Sequence, residues 1–141
     1  MSYIFSSESV TKGHPDKVAD FISDAILDLV LSNDPNARCA IETALANTSV
    51  YIFGEVSTHF DLTEEIIIET AKEAIKFCGY NDAKFIFEAE SATYHVNINQ
   101  QSPDIAMGVN HEDGKNQGAG DQGIMFGYAK DDTKELLPLP I

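Results

Sequence analysis

The sequence predicts an α+β fold in which helices cover sheets on one face. Apolar residues recur at spacings of three and four from Pro15 to about Leu31, which is typical of an amphipathic helix. A second run of this kind extends from Glu65 to Cys78. Between the two, apolar and polar residues alternate from Arg38 to Thr58, as they do in half-buried strands. One-sided helices and one-sided strands can bury their apolar faces against each other.

The composition limits the class of protein. With 141 residues and 43% hydrophobic residues, the chain has enough apolar side chains for the core of one ordinary domain. Its formal net charge of −14 repels nucleic acids and anionic membranes, so we expect neither as a partner. The longest apolar runs are far shorter than the roughly 20 residues of a membrane span, and Met1-Ser2-Tyr3 begins no signal peptide. We therefore expect a cytoplasmic protein.

The first helix begins in the segment Gly13-His14-Pro15-Asp16-Lys17. Pro15 suits the first helical position, because its φ angle is already helical and its missing N–H would have no partner there. His14, Asp16 and Lys17 then lie at the positive end of the helix dipole, where free N–H groups can hold an anion such as a phosphate. Alternatively, Asp16 is a favourable first-turn acid and the other two are ordinary surface residues. The segment alone leaves both interpretations open.

The alternating segment predicts a hairpin that turns at Ala46-Asn47-Thr48-Ser49. A turn centred on Asn47 and Thr48 pairs residue 42 with residue 53, which places Glu42 and Glu55 on one face together with Phe53. Carboxylates in mid-strand beside Ala, Phe and Tyr are costly unless they meet a cation or hydrogen-bond donors. A solvated face is the alternative.

The remaining segments predict shorter elements. Asp61-Leu62-Thr63-Glu64 offers a cap for the second helix, which ends at Gly79. The cysteines Cys39 and Cys78 have no metal-ligand spacing, so we expect buried reduced thiols. Further strands are predicted at Tyr3-Ile4-Phe5, Lys84 to Glu88, Thr93 to Asn97 and Ile124 to Ala129. A polar stretch from Asn99 to Gln117 could be a mobile loop that covers a site or only a long surface connection.

Four stretches of the chain carry a specific family resemblance. They are Phe5-Ser6-Ser7-Glu8-Ser9-Val10, Gly13-His14-Pro15-Asp16-Lys17, Gln101-Ser102-Pro103-Asp104-Ile105 and the glycine-rich run from Gly118 to Ala129. In this order they closely resemble methionine adenosyltransferase, also called S-adenosylmethionine synthetase, over essentially the whole chain. The resemblance implies a reaction in which the sulfur of methionine attacks the ribose C5′ of ATP. The triphosphate leaves and is hydrolysed to pyrophosphate and phosphate.

The resemblance also implies roles for individual residues. His14 would be catalytic and would stabilise the charge on the leaving oxygen. ATP would contact His14, Lys17 and Asp121, and methionine would contact Glu55, Gln101 and Asp121. Magnesium would be held by Asp16 and Glu8, and potassium by Glu42, so the implied cofactors are Mg²⁺ and K⁺. A gating loop would run from Gln101 through Ser102, Pro103, Asp104 and Ile105 to about His111.

The family's members are nearly three times as long and fold into three similar α+β domains built from discontinuous segments. On that pattern residues 1–12 and 124–141 belong to one domain, residues 13–101 to a central domain, and residues 102–123 to a loop and strand of another. The cations that grip the triphosphate lie largely in the part this chain does not match. The resemblance therefore implies a complementary chain, in a hetero-oligomer on a dimeric core. The alternatives are a non-catalytic regulatory or assembly subunit of a full-length homologue and a truncated fragment.

Overall fold

The computed structural model describes residue 4 and residues 6–100 and 122–141, without the side chain of residue 100. Its elements are α1 (Pro15–Asn33), β1 (Arg38–Ala46), β2 (Ser49–Ser57), α2 (Glu64–Phe77) and β3 (Thr93–Gln100). The three strands form one sheet in the order β1-β2-β3, and both helices pack against it. The predicted α+β class, with helices on one face of a sheet, is confirmed.

Helix α1 buries the apolar stripe that the sequence predicts, but fewer of its residues are fully buried than the spacing indicated. Val18, Ile22, Ile26 and Val30 are fully buried. Phe21 lies at the edge of the stripe, where its ring stacks on Phe77 of α2 with centroids 5.0 Å apart. The stripe therefore faces the sheet at its centre and the second helix at its margin.

The hairpin has the predicted register. Strand β1 pairs antiparallel with β2, and Glu42 lies opposite Phe53. Asn47 adopts the left-handed φ of 54° that the tight turn requires, which an asparagine tolerates better than most residues. Because side chains alternate along a strand, this register fixes which face each residue occupies.

Strand β3 runs parallel to β2, and α2 forms the crossover between them. The sequence predicted an extended segment at Thr93 to Asn97, and the strand continues to residue 100. Helix α2 begins at the predicted cap, where Thr63 Oγ1 accepts a hydrogen bond from the Ile66 N–H at 3.4 Å. It buries Ile67, Ala71, Ala74 and Ile75, as predicted, whereas Cys78, which was predicted to face inward with them, is half-buried.

The core lies between the helices and one face of the sheet. The helical residues just named pack against Ile41, Val50 and Ile52 of the first two strands. The opposite face of the sheet is open: Tyr51 is 40% exposed and stacks on His95 with ring centroids 4.6 Å apart, and Phe53 is 44% exposed. The described part of the chain thus buries one side of its sheet and leaves an aromatic surface on the other.

The predicted strand from Lys84 to Glu88 is wrong. This segment forms turns: the Phe85 N–H donates to the Asp82 carbonyl at 2.9 Å, and side chains at both ends accept hydrogen bonds from nearby backbone N–H groups. The Glu88 carboxylate accepts hydrogen bonds from the N–H groups of Glu90 at 3.1 Å and Ser91 at 3.0 Å. The Asp82 carboxylate accepts another from the Lys84 N–H at 3.0 Å.

The predicted strand from Ile124 to Ala129 is also wrong for the described structure. Residues 122–130 have no regular structure, and Met125 is 94% exposed. The segment has the apolar residues of a strand, but a strand also needs a neighbour that pairs its backbone groups.

Of the predicted strand at Tyr3-Ile4-Phe5, only Ile4 is described. Ile4 is exposed and is not in a strand. The other two residues lie outside the described residues.

Both cysteines are free, as predicted, but they are half-buried instead of buried. Cys39 lies near the start of β1, and Cys78 caps the C-terminus of α2. Partial burial raises the pKa of each thiol, so both favour the uncharged form.

No helix in the described ranges combines the length and apolar character that crossing a membrane requires.

Candidate active site

His14 is the N-cap of α1. Its backbone is extended, with φ −65° and ψ 136°, and its Nδ1 accepts a hydrogen bond from the Asp16 N–H at 3.2 Å. A ring nitrogen that accepts a hydrogen bond carries no proton, so the proton of the neutral ring is on Nε2. The imidazole, whose side chain is 39% exposed, therefore directs an N–H donor away from the helix.

The two charged residues of the first turn are placed differently. The Asp16 side chain is 92% exposed, and its Oδ2 lies 4.0 Å from His14 Nδ1. Lys17 instead turns back, and its Nζ donates a hydrogen bond to the Val10 carbonyl at 2.7 Å. Asp16 is thus the open carboxylate at this helix terminus, while Lys17 also holds the preceding loop.

The turn that precedes His14 is held from several sides. The His14 N–H donates to the Thr11 carbonyl at 3.0 Å, and the Lys12 Nζ lies 4.2 Å from the centre of the Phe77 ring. The Tyr80 hydroxyl donates to the Gly13 carbonyl at 2.6 Å. Sequence reasoning missed Tyr80, because this bond joins residues 67 apart in the chain.

A small cavity lies beneath this turn. Its volume is about 130 Å³, and it is lined by Gly13, Pro15, Val18, Leu45, Asn47, Tyr80 and Phe87. The N-terminus of α1 therefore lies next to the tip of the β1–β2 hairpin. The only signal for Tyr80 in the sequence is its position directly after Gly79, where a helix ends and the chain turns back.

Glu42 and Glu55 share the open face of the sheet, as the hairpin register predicted. Glu42 lies opposite Phe53, and Glu55 lies opposite Ala40, so the two glutamates are diagonal neighbours. Diagonal residues in an antiparallel pair are roughly 7–8 Å apart. Glu42 is exposed and Glu55 is half-buried. Helix α1 packs on the other face, so the structure does not bring this pair together with His14 and Asp16.

Of the other predicted site residues, only Glu8 is described. Glu8 is exposed in an irregular segment ahead of α1. Gln101, the gating loop through His111, and Asp121 lie outside the described residues. Among the residues that are described, no three His, Cys, Asp or Glu side chains group closely enough to hold a metal ion.

Two family models match the chain. The S-adenosylmethionine synthetase N-terminal domain matches residues 2–103, and the central domain of the same synthetase matches residues 116–141. The first match covers well over half of the chain.

Two curated relatives of the chain are S-adenosylmethionine synthases. The chain is 81% identical over its whole length to an S-adenosylmethionine synthase of Acholeplasma laidlawii, and it covers 36% of that protein. It is 52% identical to the S-adenosylmethionine synthase of Sulfurovum sp., over 99% of this chain and 35% of that one. It thus spans about a third of the length of the curated relatives it matches.

A solved structure has a similar fold. An S-adenosylmethionine synthetase from Campylobacter jejuni, described as unusual, matches 92% of this chain and 31% of its own, with 35% identity and a TM-score of 0.72. The motifs, the fold and the relatives therefore agree. The chain belongs to the S-adenosylmethionine synthetase family.

Proposed function

We propose that this chain supplies the N-terminal part of an active site that forms S-adenosylmethionine from ATP and L-methionine. Residues outside these 141 would complete the site. The observation that carries the proposal is the arrangement at the start of α1. There His14 is fixed as the N-cap with its Nε2–H directed outward, next to the open carboxylate of Asp16, in a chain of this family.

The reaction explains why a donor belongs at that position. The methionine sulfur forms a bond to C5′ of the ribose, and the bond between C5′ and the triphosphate oxygen breaks. The electron pair of that bond goes to the leaving oxygen, which gains negative charge. A preorganised N–H donor and the positive end of a helix dipole both stabilise such a charge. We assign the first role to His14 Nε2 and the second to α1, and Lys17 adds a positive charge beside them.

The carboxylates suit the ions that the family resemblance implies. Magnesium prefers hard oxygen ligands and is held by one or two carboxylates together with substrate phosphates. Asp16, exposed at the phosphate end of the helix, fits this pattern, and Glu8 would assist it. When bound, magnesium neutralises phosphate charge. On the open face of the sheet, Glu42 offers an oxygen ligand to potassium.

Methionine would bind at the open face of the sheet. Its ammonium group needs an anionic partner, and the half-buried carboxylate of Glu55 provides one. Gln101 and Asp121 are proposed to complete the methionine contacts, with residues 101–111 as a gating loop. The discontinuous division that the sequence predicted stays a proposal: residues 1–12 with 124–141, residues 13–101, and residues 102–123.

The charge of the chain supports a complementary partner. A triphosphate carries several negative charges, and this chain has 9 basic residues against 23 acidic ones. Its own field would repel the substrate, so the cations must come from elsewhere. We therefore propose a hetero-oligomer on a dimeric core, in which a complementary synthetase chain supplies the triphosphate-binding cations.

The test is complementation. The chain is mixed with a complementary synthetase chain, and S-adenosylmethionine is measured for the mixture and for each part alone. We expect product only from the mixture, and His14→Ala or Asp16→Asn should abolish most of it. Asp28→Asn is the matched control, because Asp28 is an exposed acid farther along the same helix. Full activity of both site variants would contradict the proposal and indicate a regulatory or assembly subunit instead.

A further inference from the structure

We propose that Tyr80 is a positioning residue for this reaction, which acts by fixing the backbone from which His14 projects. The inference rests on the proposed function, because it assigns Tyr80 a role through His14. Tyr80 follows α2 and is far from His14 in the sequence, yet its hydroxyl donates to the carbonyl of the residue immediately before the N-cap.

The backbone of Tyr80 is itself fixed. The Gly79 N–H donates to the Lys76 carbonyl at 2.9 Å, and the Tyr80 N–H donates to the Ile75 carbonyl at 3.2 Å. With Gly79 at φ 106°, these bonds form the Schellman motif that terminates a helix. The Ala89 N–H in turn donates to the Tyr80 carbonyl at 3.1 Å. Tyr80 is therefore anchored to the end of α2.

The ring of Tyr80 is also held. It packs edge-to-face against Phe87, with centroids 5.2 Å apart, and against Phe85 at 5.9 Å. Contacts of this kind fix the direction of the ring and hence of its hydroxyl. The hydroxyl reaches the Gly13 carbonyl at 2.6 Å, a short hydrogen bond. A methyl group on Gly13 would contact the hydroxyl oxygen at 3.4 Å, so the two residues are already in close contact.

This hydrogen bond holds the carbonyl end of the peptide group that joins Gly13 to His14. The Gly13 carbonyl belongs to the peptide group whose N–H is that of His14, and this N–H donates to Thr11. Holding both ends of the peptide fixes the direction in which His14 leaves the turn. The imidazole itself is held by a comparatively long 3.2 Å bond to the Asp16 N–H. If Tyr80 releases the carbonyl, the peptide can rotate and the Nε2 donor moves with it.

The expected effect is on rate and not on substrate affinity. A misplacement of about 1 Å in a catalytic group can cost up to about 10²-fold in rate. Tyr80→Phe keeps the ring and removes only the hydroxyl, so we expect kcat of the active assembly to fall about tenfold. The KM values for ATP and methionine should stay within about twofold, because the ground-state contacts remain.

Tyr94→Phe is the matched control. The Tyr94 hydroxyl also donates to a backbone carbonyl, that of Ala89, at 2.7 Å, and Tyr94 is half-buried as Tyr80 is. Its bond ends at Ala89, which contacts Tyr80 through a backbone hydrogen bond that this substitution leaves in place, so the Tyr80 hydroxyl stays on Gly13 and kcat should not change. Rates are normalised to the folded fraction, so that any loss of folding registers separately. An unchanged kcat for Tyr80→Phe, or an equal loss for both variants, would overturn the inference.

A double-mutant cycle separates this inference from the proposed function. In a His14→Asn assembly, Tyr80→Phe should cause no further loss of kcat, because the donor it positions is absent. A further tenfold loss in that background would overturn the role of Tyr80 through His14 and leave the proposed function intact. Full kcat for His14→Asn alone would overturn the proposed function and this inference with it.

Discussion

The hydrogen bond that His14 accepts at Nδ1 determines where its remaining N–H donor points. Because Nδ1 caps the helix, only Nε2 can donate to a ligand. This explains why a histidine at this position can do more than a serine or an aspartate, which would cap the helix equally well and offer no outward N–H. The proposed site residue and the residue that caps the helix are thus the same.

Replacement of His14 by Asn should reduce kcat of the complemented assembly by about 10²-fold or more, which is the usual cost of removing a transition-state donor. The methionine KM should change little, because the donor is proposed to act on the leaving triphosphate. Steady-state kinetics at saturating ATP measure both constants. His59→Asn, at an exposed histidine in the β2–α2 connection, is the control. A rise in KM with unchanged kcat would mean that the role of His14 is misassigned.

Gly54 should be intolerant of substitution. It has a φ of 137°, and a Cβ there would overlap the Ala40 carbonyl oxygen on the neighbouring strand. We expect Gly54→Ala to lower the free energy of unfolding of the assembly by at least about 3 kcal/mol, because the strands must move apart.

Gly79→Ala provides the comparison for Gly54. Gly79 also has a positive φ, of 106°, but a Cβ there would meet nothing within 4 Å. Its replacement should cost only the backbone strain, roughly 1–2 kcal/mol. Denaturant unfolding of both variants measures the difference. Equal losses would show that contact with Ala40 is not what restricts Gly54.

At the scale of elements, Asp34 connects the end of α1 to the end of the sheet. Its buried carboxylate accepts hydrogen bonds from the His59 N–H at 2.8 Å, the Thr58 hydroxyl at 3.0 Å and the Asn36 N–H at 3.2 Å. These bonds, with that from His59 the largest contribution, lower the pKa of Asp34 below its ordinary value of 3.8. The ionised form is therefore the one that the fold stabilises.

This shift predicts a pH dependence. A lowered pKa in the folded state adds stability above the unfolded value of 3.8, and that stability is lost as the pH falls below it. Asp34→Asn should therefore lower the melting temperature at pH 7, and the difference from the parent should shrink as the pH falls below 3.8. Thermal melts across this range provide the measurement. A difference that stays constant or grows in acid would contradict the assignment.

The elements that the sequence predicted correctly are those whose pattern is local. Both helices carry their stripes and caps within their own residues, and the hairpin register follows from the Asn47-Thr48 turn. The segment from Lys84 to Glu88 has the continuous apolar run Phe85-Ile86-Phe87 that is typical of a buried strand, but the hydrogen bonds that Glu88 accepts from backbone N–H groups favour turns. An apolar run cannot reveal such competition.

Contacts between residues far apart in the sequence are a second reason why the sequence alone could not predict the whole structure. The parallel pairing of β3 with β2 and the bond from Tyr80 to Gly13 join residues far apart in the sequence, and no local pattern predicts them. The same holds for the candidate site. The sequence pointed to His14, Asp16, Glu42 and Glu55, but only the structure separates them into a helix terminus and the open face of the sheet.

At the scale of the whole molecule, the exposed apolar surface predicts association. Tyr51 and Phe53 lie on the open face of the sheet, and the segment from residue 122 onward exposes Met125, Phe126 and Leu139. Surfaces of this kind, together with unpaired sheet edges, promote association or aggregation. Expressed alone, the chain should not be a monodisperse monomer. Size-exclusion chromatography with light scattering tests this, and a monodisperse 15.4 kDa species with a cooperative melt would contradict it.

We propose above that these 141 residues supply one part of a synthetase active site. A chimera tests it most directly: this chain replaces the matched N-terminal region of the Acholeplasma laidlawii S-adenosylmethionine synthase, and S-adenosylmethionine formation from ATP and methionine is measured. We expect a rate within about tenfold of the parent enzyme, and a loss of about 10²-fold or more when His14→Asn is introduced. A folded chimera without activity, or an active one that is indifferent to His14→Asn, would contradict it.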